Sequence, residues 1–412
     1  MLAHFTAIEK SKLHHKTVPG GRRSTMAIAA GAALFVCGSS ASALAASAGA
    51  GDVPCGQMQI GIVGPLTGSS SSFGDADKNS AMLAIDEYND KHPDCKVSLV
   101  EFDTLGEADK APAAAQKAIQ TPNIVAILGP EFSGGNQAAL PIFNQAGMPT
   151  VTSNATNAEL SSHGWKVFHR TIASDDVEGP GEAVWTVKDA KLTSVAVIDD
   201  GLAYGQGIAK TYAEAVKKLG GKVVTQASID AKASDYSSTI VAIKGSGADA
   251  VYCGCLYGEA ARLLKQLRQG GVDAQFVSDA GVIEPAFGTV ANKKYAEGAV
   301  AGQTGVVSGQ NAVANDLFEK YVKRFGEDAP QTYVAEGYDA ANAVLRAIAA
   351  GNHSRTTINE YLTKIDFDGA SGHIQFKPNG DKTTASMNMM KYSKGKWAFL
   401  TTVQVPENLL SK

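Results

Sequence analysis

The sequence lacks any apolar run long enough to cross a bilayer comfortably: the one near its start, Met26 to Val36, is too short, and no second stretch is long enough. It has no Gly-Lys-Ser phosphate loop, no Gly-x-Ser-x-Gly elbow and no paired histidines at helical spacing. Those absences remove the signatures of nucleotide-dependent phosphate chemistry, serine hydrolysis and zinc proteolysis. Gly205-Gln206-Gly207 lacks the third glycine of a dinucleotide loop. The eight histidines are scattered, and no group of His and Cys has metal-ligand spacing. Neither an enzyme active site nor a cofactor or metal site is expected. Basic residues are also in short supply: 37 Lys and Arg stand against 41 Asp and Glu. A nucleic-acid partner would want a basic face, so none is expected. Only five cysteines occur in 412 residues.

What is present begins with a leader. Arg22-Arg23 precede an apolar run from Met26 to Val36, and Ala43-Leu44-Ala45 follows as a small-residue cleavage site. This is the layout of a secretory signal peptide over residues 1–45, which places the mature protein outside the cytoplasm, in the periplasm. Cys37 is not expected to carry a lipid, because Val36 stands where a lipid-modification site wants Gly, Ala or Ser. Cys55 precedes the first expected strand and Cys95 the second. If those strands are parallel neighbours, both cysteines stand at one end of the sheet, and a disulfide is geometrically reasonable in an oxidising compartment. Cys253 and Cys255 lie two apart in an expected strand and share a face. With no further His or Cys nearby, they read as small buried residues.

From residue 56 onward, Val- and Ile-rich runs alternate with helical stretches. The expected strands are Met58–Val63, Val97–Phe102, Ile124–Leu128, Ser194–Ile198, Lys222–Gln226, Ala250–Cys253 and Gln275–Val277. Between them, apolar residues recur at spacings of three and four, as in Ile208-Tyr212-Ala215-Leu219. Regular strand-helix-strand order predicts an α/β fold with parallel sheets covered by helices. The order occurs twice, from Met58 and from Ser194. Each first strand leads to an aromatic-glycine pair ahead of a helix, Phe73-Gly74 and Tyr204-Gly205. Two similar lobes would face each other across a cleft at their strand ends. After Phe367 the pattern changes to short strands with Pro378-Asn379-Gly380 and Lys394-Gly395-Lys396 turns.

The chemistry of the expected cleft suits a small anion. Pro130–Gln137 follows the strand Ile124–Leu128 and opens a helix, whose amide groups and Ser133 hydroxyl favour a carboxylate. Thr150–Thr152 runs into Ser153-Asn154-Ala155-Thr156, so Ser133 and Thr156 stand at neighbouring strand ends. Ser and Thr are also ordinary helix caps. A zwitterionic ligand needs an acceptor for its ammonium, for which Asp279 and Glu284 are the candidates. Phe73, Tyr204, Leu256, Tyr257 and Tyr333 offer apolar surface.

Gly61-Ile62-Val63-Gly64-Pro65-Leu66-Thr67-Gly68, then Phe73-Gly74, then Ala84–Asn89, resembles the start of the periplasmic binding proteins for branched-chain amino acids. Gly129-Pro130 with Ser133, Ala155-Thr156, Asp199-Asp200 with Tyr204-Gly205, Tyr333 with Gly337–Ala340, and Gly372–Phe376 continue the likeness in order. The resemblance implies a two-lobed type I binding-protein fold with three crossovers, near Thr171, Gly302 and Met387. The lobes would be 56–172 with 302–387, and 173–301 with 388–412. It implies that Ser133, Thr156 and the backbone at Asn154 hold a ligand carboxylate, that the region of Asp279 faces the ammonium, and that Phe73, Tyr204 and Tyr333 line the cleft. It also implies a monomer that delivers an amino acid to the membrane permease of an ABC transporter. Relatives of this fold bind amides, urea or aromatic acids, or act as ligand-sensing receptor domains.

Overall fold

The computed structural model describes residues 51–306, 311–327, 329–384 and 386–410. The expected leader and Cys37 lie outside them. The first sheet comprises β1 (Gln59–Gly64), β2 (Ser98–Asp103), β3 (Ile124–Leu128), β4 (Thr150–Thr152) and β5 (Phe168–Arg170). Its strands are all parallel, in the order β2-β1-β3-β4-β5. β3 is buried along its whole length, which is why it reads as an unbroken apolar run rather than an alternating one. Ile60 and Ile62 of β1 pack with Ile85, Val344 and Ile358 from the helices Ser71–Lys91, Val334–Ala349 and Arg355–Leu362. Val63 of the same strand faces the other way, onto Ile127, Ala139 and Phe143.

The second sheet starts with β6 (Ser194–Asp199), β7 (Lys222–Ser228), β8 (Ala250–Gly254), β9 (Gln275–Ser278) and β10 (Val300–Gln303). A hairpin of β11 (Asp366–Gly369) and β12 (Gly372–Gln375) stands apart from both sheets. β13 (Ser386–Ser393) and β14 (Lys396–Gln404) then join the second sheet antiparallel, giving β14-β13-β10-β9-β8-β6-β7. Val195 and Val197 pack beneath the helix Ala203–Lys218, where Tyr212 and Tyr252 stack with ring centres 3.7 Å apart. Ala196 and Ile198 face the opposite layer with Leu263, Leu264 and Phe276.

The chain passes from the first sheet to the second after Arg170 and returns after β10. It crosses again between β12 and β13. Gly302 and Met387, expected at crossovers, sit inside β10 and β13, where Gly302 pairs with Met389. The chain turns toward the other lobe a few residues beyond Gly302 and before Met387. Among the described residues no helix is long and apolar enough to cross a membrane.

Both aromatic-glycine pairs lie within the first helical turn rather than ahead of it. The glycines are needed for close approach. A Cβ on Gly74 would lie 2.4 Å from Pro65 O, and one on Gly205 would lie 2.2 Å from Gly254 O. Cys55 and Cys95 form a disulfide. Cys253 and Cys255 do as well, correcting their reading as unpaired buried residues. Their Cα atoms are 5.4 Å apart on one face, and Gly254 between them puts no side chain in the way.

Candidate functional site

Each lobe directs strand ends and helix starts toward the other. Between them lies a cavity of about 640 Å³. Phe73, Phe132, Ser133, Asn154 and Tyr333 line it on one side, and Leu202, Tyr204, Leu256 and Gly281 on the other. Exposed Glu107, Asp109 and Lys232 and buried Asp200 also line it. Phe73 meets Phe132 edge-on, with ring centres 5.4 Å apart, and lies 6.4 Å from Tyr333. The lobes also touch directly. Asn157 Nδ2 donates to Ala203 O (2.5 Å), Tyr257 OH to Ser69 O (3.3 Å), and Thr332 Oγ1 to Ile283 O (3.1 Å).

Ser133 opens the helix Ser133–Gln145, preceded by Phe132 at φ +64°. Its hydroxyl accepts the Asn157 amide at 3.2 Å and keeps its own proton for a ligand acceptor. Asn154 ties the two loops together, accepting the Phe132 amide on Oδ1 at 3.0 Å. Beneath them Arg170 is fully buried. Its Nη1 donates to the carbonyls of Ala155, Thr156 and Asn157 at 3.2, 2.9 and 3.0 Å, and Nη2 is 2.6 Å from Asp381 Oδ1. Arg170 therefore sets the path of the Ala155–Asn157 backbone. Nothing in the sequence near Phe168–Thr171 marks it, beyond one charge at the end of an apolar strand.

Asp279 and Glu284 do not line the cavity. The Asp279 carboxylate is buried and held by backbone, with Gly281 N–H on Oδ1 (2.8 Å) and Cys255 N–H on Oδ2 (2.9 Å). Glu284 Oε1 accepts from Thr332 Oγ1 at 3.0 Å. Thr156 and Ala155 sit just behind the wall that Asn154 contributes.

The strongest electrostatic feature was not legible as a site. Asp175, Glu178 and Glu182 lie on the helix Asp175–Val184, where acidic residues in a first turn ordinarily read as dipole partners. All three are fully buried; Glu178 and Glu182 lie near Asp279, and Asp175 and Glu178 near Tyr204 and Tyr333. Burial pushes Glu178 up to about 7, although Ala280 N–H donates to its Oε1 at 2.9 Å. Burial first, then the Glu178 charge, pushes Asp175, Glu182 and Asp279 well above the usual carboxylate range. Tyr204 and Tyr333 are pushed up by burial and then by these carboxylates. Thr156 adjoins Asp175 and Tyr204 adjoins Asp279, each close enough to ease ionisation of the acid. Yet Thr156 Oγ1, Tyr204 OH and both Asp175 oxygens close no hydrogen bond of ordinary geometry. Of these only Tyr204 lines the cavity, where its buried hydroxyl is a position that a ligand or water would complete; Thr156 and Asp175 lie together behind the wall.

Two lobes with parallel sheets, joined by crossovers and closing on a polar and aromatic cleft, define a class of ligand-binding protein. The profile of the periplasmic binding protein family matches residues 57–396. The chain belongs to that family: it is a solute-binding protein of the kind that serves ABC transporters, and not an enzyme. It is 26% identical over 340 residues to the leucine-, isoleucine-, valine-, threonine- and alanine-binding protein of Pseudomonas aeruginosa, covering 82% of this chain and 90% of that one. It is 27% identical over 329 residues to the Leu/Ile/Val-binding protein of Escherichia coli K12, covering 79% and 88%. A leucine binding protein from Thermotoga maritima superposes with a TM-score of 0.78 at 28% identity, over 85% of this chain and 99% of that one. The same fold, at 17% identity and a TM-score of 0.76, occurs in a solute-binding protein of R. palustris in complex with benzoate, over 84% of this chain and 96% of that one.

Proposed function

We propose that this protein captures a branched-chain amino acid by closure of its lobes and delivers it to the permease of an ABC transporter. It does so in the periplasm, after removal of residues 1–45. The observation that carries this reading is the opening of the helix Ser133–Gln145 into the cavity, where Ser133 and Asn154 line one side and Tyr204 the other. Ser133, the backbone at Asn154 and Ala155, and Thr156 receive the ligand carboxylate at the opening of the helix Ser133–Gln145. The acidic group of Asp279, Glu178 and Asp175 supplies the negative field for the ammonium. Phe73, Tyr204, Leu256 and Tyr333 surround the side chain. Ligand contacts to the second lobe exist only in the closed form, so binding stabilises closure.

A second reading has its own support. Both Asp279 oxygens already take backbone amides, which favours a ligand with a carboxylate and an apolar body but no ammonium, such as an aromatic acid. Thermal unfolding against leucine, isoleucine, valine, benzoate, acetamide and urea separates these readings. A ligand that binds only the folded protein raises the melting temperature. A shift with leucine, isoleucine or valine is the expected result. A shift with benzoate alone would replace the amino acid by an aromatic acid, and a shift with acetamide or urea alone would replace it by an amide.

A further inference from the structure

Two carboxyl groups meet inside the first lobe, behind the loops that carry Ser133 and Thr156. Asp77 lies on the inward face of the helix Ser71–Lys91 and is 4% exposed; Glu131 lies between β3 and the helix Ser133–Gln145 and is 3% exposed. Asp77 Oδ2 accepts from Ser153 Oγ at 2.7 Å and from Asn154 Nδ2 at 3.0 Å. The same Nδ2 reaches Glu131 Oε2 at 3.4 Å. Asn154 Oδ1 in turn holds the Phe132 amide, so one asparagine links the carboxyl pair to both anion-binding loops. The remaining oxygens, Asp77 Oδ1 and Glu131 Oε1, are buried and take no donor from any other group.

The niche is shaped for the pair. A Cβ on Gly64 would lie 2.6 Å from the Glu131 carboxyl, and one on Gly337 would lie 2.6 Å from Asp77 Oδ1. Neither carboxyl forms an ion pair among the described residues. Lys78, the next residue on the helix, turns to Asp75 (3.7 Å) and Glu101 (4.0 Å) instead. The ionisable groups that face the pair are themselves acidic. Asp75 adds repulsion at Glu131, and Tyr321 of the helix Ala312–Phe325 feels the Asp77 charge. From the helix Val334–Ala349, Gly337 presents backbone, and Glu336 Oε1 is held by the Val306 amide. The single Asn154 Nδ2 lies 3.0 Å from Asp77 Oδ2 and 3.4 Å from Glu131 Oε2, which brings the two carboxyl groups together, and two ionised carboxylates repel each other at such range.

We propose that Asp77 and Glu131 hold one proton between them and act as a positioning pair for the anion-binding loops. The singly protonated pair is a compact acceptor that clamps Asn154. Loss of the last proton leaves two buried negative charges with no cation beside them. They separate, Asn154 is released, and the spacing of Ser133 and Thr156 changes. Burial, the chief cause, raises Asp77 to about 7 and Glu131 well above the usual carboxylate range, in keeping with a shared proton. The ligand arm of the inference rests on the carboxylate-binding role given above to Ser133 and Thr156; the pair itself does not.

The experiment therefore has two arms on the leader-free protein. The first needs no ligand. Chemical unfolding of the wild type is followed from pH 5.5 to 9.5, with Glu131→Gln, Asp77→Asn and the double variant. The folded state keeps a proton that the unfolded chain has lost, so the folding constant falls by up to about tenfold per pH unit on account of the pair. Each single variant is expected to remove that share of the fall, and the double variant to remove no more. An unchanged slope in both single variants, or additive effects in the double, would overturn the proposal. If one variant fails to fold, the other decides. The second arm is calorimetry with leucine. Wild-type affinity is expected to drop about tenfold from pH 7 to 9.5, and that of Glu131→Gln, which mimics the protonated acid, to stay within about threefold. A purely structural pair would give both proteins the same profile, which would refute the positioning role. If leucine binds at no pH, the amino-acid reading fails while the unfolding arm still decides the shared proton.

Discussion

Glu178→Gln should make this protein more stable at pH 8 and a weaker binder. Glu178 is fully buried, and burial moves its carboxyl from the ordinary 4.5 to about 7. A folded-state value above the unfolded one means that the stabilising proton is fully bound at acid pH. That stability is lost as pH rises from about 4.5 through about 7. At about 1.4 kcal/mol per unit, a shift of roughly 2.5 units costs about 3 kcal/mol once the group is ionised. Glutamine has nearly the same shape and carries no charge to bury. Its carbonyl can still accept the Ala280 amide, now 2.9 Å from Oε1. At about 2.1 cal/mol/K of unfolding entropy per residue, the chain without residues 1–45 shifts by roughly 1.3 °C per kcal/mol. The variant should therefore melt about 4 °C higher at pH 8 and show no gain at pH 4.5. Removing the Glu178 charge also lets Asp175, Glu182 and Asp279 ionise more readily, which flattens the pH dependence further. The same change withdraws negative field from the ammonium site, so leucine affinity should fall by about tenfold. Scanning fluorimetry between pH 4.5 and 8.5, with calorimetry at pH 7.5, reads both effects. A variant that melts lower than wild type at pH 8, or with an unchanged pH slope, would refute the reasoning.

Three further outcomes follow from the geometry. Replacing Ser133 and Thr156 together by Ala should weaken leucine binding by at least a hundredfold in calorimetry, at about 1.5–3 kcal/mol for each hydrogen bond to a charged group; unchanged affinity would remove both from the site. Cys95→Ser opens a loop with a sequence separation of 40 residues and should cost about 4 kcal/mol in urea unfolding, whereas opening the three-residue ring at Cys253–Cys255 should cost less than half of that. Gly205→Ala drives a methyl group to 2.2 Å from Gly254 O, where only backbone could yield. It should cost about 1–3 kcal/mol, seen as a lower urea midpoint, and a neutral result would mean that the Ala203–Lys218 helix shifts freely over β8.

Much of the fold was legible because buried parallel strands leave a distinctive trace. β3 and β4 have the bounds that their apolar runs suggest, and the aromatic-glycine pairs mark the two helix starts that face the cleft. Phe73, Ser133, Asn154 and Tyr204 were legible as cleft candidates because each follows a strand end or opens a helix; Leu256 and Tyr333 were legible only as apolar surface, and Tyr333 also through the family resemblance. What escaped depends on side-chain direction. A carboxylate after a strand reads alike whether it enters the cavity or, as at Asp279, turns back onto the amides of Cys255 and Gly281. Asp175 and Glu178 look like the ordinary acidic start of a helix; only the lobe packed over them makes them buried. Glu131 precedes a glycine-rich polar run, and its partner Asp77 is 54 residues earlier, so no local pattern could join them.

The three crossings of the chain bear on how the protein can be made. The first sheet is covered by the helices Val334–Ala349 and Arg355–Leu362, which are synthesised after four-fifths of the chain. The second sheet gains β13 and β14 only from the last few dozen residues, and β10 pairs with β13. Neither lobe can be finished while its own strands leave the ribosome. A nascent chain thus stays incompletely buried until its far end is free, a state open enough to be threaded through a membrane before it folds.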